Sequence, residues 1–248
     1  MILLDRELIG YSLQVVGGNR QPYGRHVPAE TTSFTSKSEL AYEAVRRRIL
    51  GGVLEPGAVI GQTRLAADLG ISTTPLREAL GRLAAEGLVA LGVHKDARVV
   101  ELSSEEAQNL FEMRSALDPL ACELAALRHR DEDLESIDDA LGELQPLTGE
   151  SSAEALWAHR RFHRAIYLAA GNPVLVGVLD SIWDKSDLYR QRALRAHSPS
   201  EADRAGVEEQ HQRLRDAIVA ADPVNARSLS HAHITHSLGR RAIGLLEV

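Results

Sequence analysis

A chain of 248 residues, 44% hydrophobic and 25% charged, has room for two modest domains and the balance of an ordinary globular protein. No apolar run approaches the roughly 20 residues of a membrane span, and "MILLDRELIG" has early acidic residues and no long apolar core, which reads against a secretory leader. The net charge of −7 is uneven: residues 1–35 sum to 0, residues 36–103 to +1 and residues 104–248 to −8, so a near-neutral segment whose basic residues cluster can still meet phosphates. The single cysteine, Cys122, excludes an internal disulfide framework and fits a reducing cytoplasm.

Residues 1–36 hold Gly17-Gly18, Pro22, Pro28 and the polar run "AETTSFTSKSE" without a sustained period, and read as a flexible arm. From Lys37, the residues Leu40, Ala44, Val45 and Ile49 make an apolar stripe at helical spacing, with Arg46, Arg47 and Arg48 as a basic cluster on the same helix. "GGVLEPGAVI" breaks that helix into a loop with a short extended piece. Thr63 is placed to cap a short helix, Arg64 to Leu69, ended by Gly70. A second short helix follows in "TTPLREALGRLAAEGL", with Pro75 as first helical residue after a Thr74 cap and Leu76, Ala79, Leu80 and Leu83 on one face. "LVALGVHKDARVVEL" then reads as two short strands around a turn at His94–Ala97.

Beyond Ser103 the pattern is helical to the end. Ser103 with Glu106 forms a capping box. Asn172-Pro173, Ser198-Pro199 and Asp222-Pro223 each read as a cap followed by proline, and divide the segment into about six helices. The expected fold is therefore mainly α: an α+β winged helix-turn-helix over residues 37–102, then an all-α antiparallel bundle over residues 103–248.

Two short helices and a hairpin meet the requirement of a DNA-reading head, in which the second helix buries one face and points its N-terminal turn at the major groove. Ser72, Thr73, Thr74 and Arg77 surround that N-terminus, where the helix dipole favours phosphate and Arg77 can reach a guanine edge. Arg46, Arg47, Thr63, Arg64, His94 and Lys95 complete the expected DNA-facing set. An amphipathic helical hairpin with solvated charges has the same pattern.

The run "AYEAVRRRILGGVLEPGAVIGQTRLAADLGISTTPLREALGRLAAEGLV" closely resembles the DNA-binding domain of the GntR family of bacterial transcription regulators. It departs where Thr73 replaces a base-reading arginine and where Asp96 replaces a glycine at the wing tip, which implies an operator unlike the common one. Roughly residues 104–245, with "RRFHRAIYLAAGNPVL" and "EEQHQRLRDAIVAADPVNARSLSHAHI", resemble the FCD effector domain of the FadR-like subfamily. That resemblance implies a dimer on a two-fold operator, and a divalent metal beneath a pocket for a small carboxylate effector. It puts the metal ligands at His159, His163, His211 and His233 and the carboxylate clamp at Arg114. His159 departs from the family, which keeps a carboxylate or amide there.

The residue chemistry stands beside the resemblance. His159 and His163, four apart, share one helix face. Four neutral imidazoles favour Zn²⁺ or Ni²⁺ over Mg²⁺ or Ca²⁺. The competing readings are core histidines, a surface Arg114–Asp118 pair, Asn172 as a cap, and His236 as the substitute ligand, with Trp157, Phe162 and Tyr167 as core. A helical metalloenzyme using the same four histidines is the rival function, and a metal-storage protein a third; "HRRFH" lacks the glutamate of H-E-x-x-H, and Glu154 lies on another face.

Overall fold

The computed structural model describes residues 36–92, 97–149 and 153–246. The expected arm short of Ser36, the wing turn with His94, Lys95 and Asp96, and the helix start near Ser151 lie outside them.

Helix α1 (Lys37–Leu50) begins where the Ser36 hydroxyl accepts from the Glu39 amide. Its buried stripe is Ala41, Tyr42, Val45, Ile49 and Leu50, whereas Leu40 is 55% exposed. The expected face was thus rotated, because Tyr42 rather than Leu40 covers the core while donating to Glu86 at 3.0 Å. Strand β1 (Val59–Ile60) is the extended piece of the Gly/Pro loop. Helices α2 (Gln62–Asp68) and α3 (Thr73–Ala85) both start earlier than expected, from Gly61 and Ser72. Thr63 is therefore a helical residue and no cap, and Pro75 is the third residue of α3. Proline is tolerated there because first-turn amides have no partner four residues back. Between the two helices Gly70 turns the chain at φ +65°, a conformation costly for residues with a Cβ.

Strands β2 (Val89–Leu91) and β3 (Ala97–Val99) form the wing hairpin, and β1 joins it to give an antiparallel sheet in the order β1-β3-β2. Val59 faces Arg98 and Val89 faces Val99. Leu76, Ala79, Leu80 and Leu83 of α3 are fully buried beneath this sheet and α1.

The rest is an antiparallel bundle: α4 (Ser104–Arg128), α5 (Asp131–Gly142), α6 (Ala153–Ala169), α7 (Pro173–Ala196), α8 (Glu201–Val219), α9 (Pro223–Thr235) and α10 (Leu238–Leu246). Asn172 and Asp222 cap α7 and α9 with proline next in line. The third expected start moves from Ser198 to Ser200, whose hydroxyl and amide exchange bonds with Asp203 in a full capping box. The box expected at Ser103 is only half formed. Its hydroxyl accepts from the Glu106 amide, but the Glu106 carboxylate is held by Lys185 at 2.6 Å and Tyr189 at 2.8 Å. The final expected helix is split in two at His236–Ser237.

Phe162, Ile166, Tyr167, Leu179, Trp183, Leu214 and Ile218 fill the bundle core. Trp157 departs from the expected core set and is only partly buried.

Helix α7 has two working faces one residue out of step. Trp183, Asp187 and Arg190 point one way, at helical spacing; Asp184, Leu188 and Gln191 point the other. On the second face Leu188 joins the core of the head, and Gln191 donates to the Leu50 carbonyl at 2.8 Å. The first face looks into the bundle.

Candidate functional site

At the head, Thr63, Arg64, Ser72, Thr74 and Arg77 are exposed around the N-termini of α2 and α3, and Thr73 is partly covered. Arg77 donates through Nε to Gln62 at 3.2 Å, which fixes its direction without burying it. Arg47 is exposed. Arg46 does not join it: its side chain is 19% exposed and its guanidinium is bound to Asp184 of α7. The expected arginine cluster is split because a helix carries successive residues about 100° apart, so Arg46 faces α7 while Arg47 faces solvent.

In the bundle, α6, α8 and α9 bring four buried histidines together. His159 and His163 come from successive turns of α6, His211 from α8 and His233 from α9. One nitrogen from each lies within 4.8 Å of the others, the one such group among the described residues. Ring centroids are 4.6 Å apart for His159 and His163, and 4.7 Å apart for His211 and His233. Phe162 packs edge-on against His163 and His211 and closes one side.

Burial, then the nearby cations and sister imidazoles, hold His159, His163 and His233 well below the usual histidine range; burial and Arg190 take His211 down to about 4. All four are neutral near pH 7, the form that binds metal. Three nitrogens also lack any hydrogen-bond partner: Nδ1 of His159, Nε2 of His163 and Nε2 of His211. An unpaired buried polar atom costs about 1–3 kcal/mol, a cost that coordination to a shared cation would relieve. Nδ1 of His233 meets Gln210 Oε1 at 2.9 Å, which leaves Nε2 for an ion and fixes the ring as an outer carboxamide does in metal sites. The residues present therefore fit a divalent ion of zinc type.

His159, His211 and His233 line a cavity of about 580 Å³ together with Arg114, Arg190 and Gln210. Arg114 is buried and donates to Asp118 at 2.7 Å. The pairing weighed as a surface contact is thus present but internal. Tyr167 also donates to Asp118, at 2.9 Å, and burial with that carboxylate pushes the phenol well above its usual range, so it stays a donor. Arg190, which the sequence reading missed, donates to Asp187 at 2.8 Å. A signal was present: Asp187 and Arg190 fall on the same face as Trp183, where a purely structural helix would be apolar. Both guanidinium groups lie over the Trp183 ring, Cζ being 4.1 Å from its centroid for Arg114 and 5.0 Å for Arg190. The cavity thus combines two buried cations with a metal-competent wall, a setting for a small anion.

None of the other described histidines joins the group. His236 lines the cavity but directs Nδ1 to the Ala232 carbonyl at 2.8 Å, outside the four-nitrogen group. His129 and His197 end α4 and α7, and His231 is exposed. Glu154 is exposed too, away from the histidines.

Comparison with known proteins covers both halves. Residues 37–95 match the bacterial regulatory proteins of the gntR family, and residues 109–236 match the FCD domain. Over 198 residues the chain is 28% identical to the HTH-type transcriptional repressor GlaR of Escherichia coli (strain K12), covering 78% of this chain and 90% of that one. It is 30% identical over 188 residues to a probable D-xylose utilization operon transcriptional repressor of Paenarthrobacter nicotinovorans, covering 75% and 80%. Among solved structures, E. coli McbR/YncC shares the fold with a TM-score of 0.71 at 24% identity, over 86% of this chain and 97% of that one.

Proposed function

This chain belongs to the gntR family of bacterial regulatory proteins and carries an FCD domain, and from that membership we propose that a carboxylate ligand in the bundle, beside a histidine-held divalent ion, controls how its head binds DNA. The family and the relatives are transcription regulators, not enzymes. No helix among the described residues is long and apolar enough to cross a membrane.

The head, residues 37–102, contacts operator DNA. Arg77 and Arg64 supply the cations, Ser72, Thr73 and Thr74 hold the phosphate backbone at the N-terminus of α3, and Arg47, Thr63, His94 and Lys95 extend the contact. Arg46 is left out, being engaged by Asp184. Two heads of a dimer meet a two-fold site, and residues 1–36 precede the head as an arm. Residues 103–248 form the effector half. His159, His163, His211 and His233 hold Zn²⁺ or Ni²⁺. When bound, the ion supplies an electrophilic anchor for a carboxylate oxygen. Arg114 and Arg190 supply the opposing positive charge, and Gln210 orients His233.

The observation that carries this reading is the meeting of two buried arginines and three of the four histidines on one cavity. Two measurements test it. A salt series of gel shifts on the gene's own upstream region should show binding that weakens steeply with salt; no complex even at low salt would refute the regulator reading for this head. Metal analysis should find near one ion per chain, lost in His163→Ala, and full occupancy in that variant would mean the ligand set is wrong.

A further inference from the structure

The cavity and the head are joined by an unbroken run of charges. Arg190 lines the cavity and donates to Asp187 Oδ1 at 2.8 Å. Asp187 Oδ2 is buried without a hydrogen bond, and Arg160 of α6 stands 3.9 Å from it. Arg160 instead binds Asp184 Oδ1, the same oxygen that Arg46 of α1 binds. Arg160 is also tied to the Asp180 carbonyl at 3.0 Å, so it stays within reach of both aspartates. Every member is at least four-fifths covered, where water screens little. The Asp180 carboxylate also stands 3.8 Å from Arg160 and is held by Arg164 at 3.0 Å, while Arg160 and Arg46 compete for one oxygen of Asp184.

From this arrangement we propose that the run Arg190–Asp187–Arg160–Asp184–Arg46 couples occupancy of the cavity to the hold of the bundle on the DNA-reading head. The ligand end of this coupling rests on the anion-cavity reading above. An anion that draws the Arg190 guanidinium away leaves Asp187 short of a partner. Arg160 then moves toward Asp187, because a buried carboxylate without a cation is the most costly member of such a network. Asp184 is left to Arg46 alone, and α1 is held more firmly against α7. Gln191 and Leu188 keep the head attached in either state, so the run tunes the contact and does not create it. Arg46 is in this sense a positioning residue for the head and no DNA contact.

The coupling makes a prediction in which two damaging substitutions act in opposite directions. Arg190→Met withdraws the cation as an anion would; Asp187→Asn removes the pull on Arg160. Amide hydrogen exchange of α1, residues 37–50, is followed by mass spectrometry in the full chain with no ligand added. Arg190→Met should slow exchange of α1 roughly tenfold, the scale of one charge-assisted hydrogen bond. Asp187→Asn should speed it, and the double variant should match Asp187→Asn, because Arg190 acts only through that carboxylate. A merely structural role would loosen α1 in both single variants. Faster or unchanged exchange in Arg190→Met overturns the coupling, as does any effect of Arg190→Met that persists in the Asp187→Asn background. If Arg190→Met folds poorly, the double variant removes the buried charges together, and its match or mismatch with Asp187→Asn still decides. Because no ligand is present, failure here leaves the anion-cavity reading standing; that reading falls if small carboxylates, titrated by calorimetry into zinc-loaded protein, give no saturable binding.

Discussion

Removing the metal should make the bundle acid-labile, and His211 sets the scale. It is 3% exposed, and burial with the Arg190 charge takes its folded pKa to about 4, from an ordinary value of 6.5. A histidine whose folded pKa is depressed must be protonated against the fold. Its contribution is complete above pH 6.5 and is lost as pH falls through 6.5 toward 4. Each unit corresponds to about 1.4 kcal/mol, so His211 alone removes about 2 kcal/mol by pH 5 and about 3 kcal/mol by pH 4. His159, His163 and His233 are displaced the same way and add to the loss. Against a stability of roughly 5–15 kcal/mol, chelated protein should lose most of its margin near pH 5. The assay is urea unfolding by circular dichroism from pH 7 to pH 5, with chelator or with excess Zn²⁺. Zinc at about 100 times its Kd should add about 2.7 kcal/mol at pH 7. In chelator, His211→Gln should flatten the acid slope by about one proton, and this comparison cancels Asp187, whose carboxyl is pushed up by burial in both proteins. The carboxylates of Asp133 and Asp138, held below 3.8 mainly by Arg130 and Arg215, act only at lower pH. A flat stability profile between pH 7 and pH 5 in chelator would refute the reasoning.

Other outcomes follow from single contacts. Arg77→Ala should cost about 1–3 kcal/mol of operator affinity in a gel shift at fixed salt; wild-type affinity would remove Arg77 from the DNA-facing set. Gln210→Leu should weaken zinc binding about 10- to 100-fold in a competition titration, since His233 Nδ1 loses its acceptor, and unchanged affinity would show that Gln210 does not orient the ring. Leu80→Ala, at a fully buried position beneath the wing, should lower unfolding free energy by about 2–5 kcal/mol; a loss below about 1 kcal/mol would mean that α3 is not seated as described.

The head was legible from spacing, whereas spacing alone paired only His159 with His163 and the full histidine set came from the family resemblance. Leu76, Leu80 and Leu83 give the buried face of α3, and the four histidines recur at positions the family resemblance marks. Helix starts were less legible. Ser200 outcompetes Ser198 because Asp203 lies three residues beyond it, and Ser103 shares Glu106 with Lys185 and Tyr189, partners about 80 residues away. Ion pairs between elements were not legible at all. Arg46 and Asp184 are separated by 138 residues, and periodicity says which way a side chain points without saying what it will meet. Burial likewise decided Arg114: the i,i+4 pair with Asp118 was visible, but its place inside the bundle was not.

The Trp183 ring meets both the Arg114 and Arg190 guanidinium groups, with His159 and His163 rings 5.9 and 5.4 Å away. The chain has two tryptophans, and the other, Trp157, is partly exposed on α6. Replacing Trp157 by phenylalanine would leave a single indole whose emission is set by those charges and rings. Its colour and intensity would then follow cation and anion at the cavity in real time, so the molecule carries its own optical gauge of occupancy.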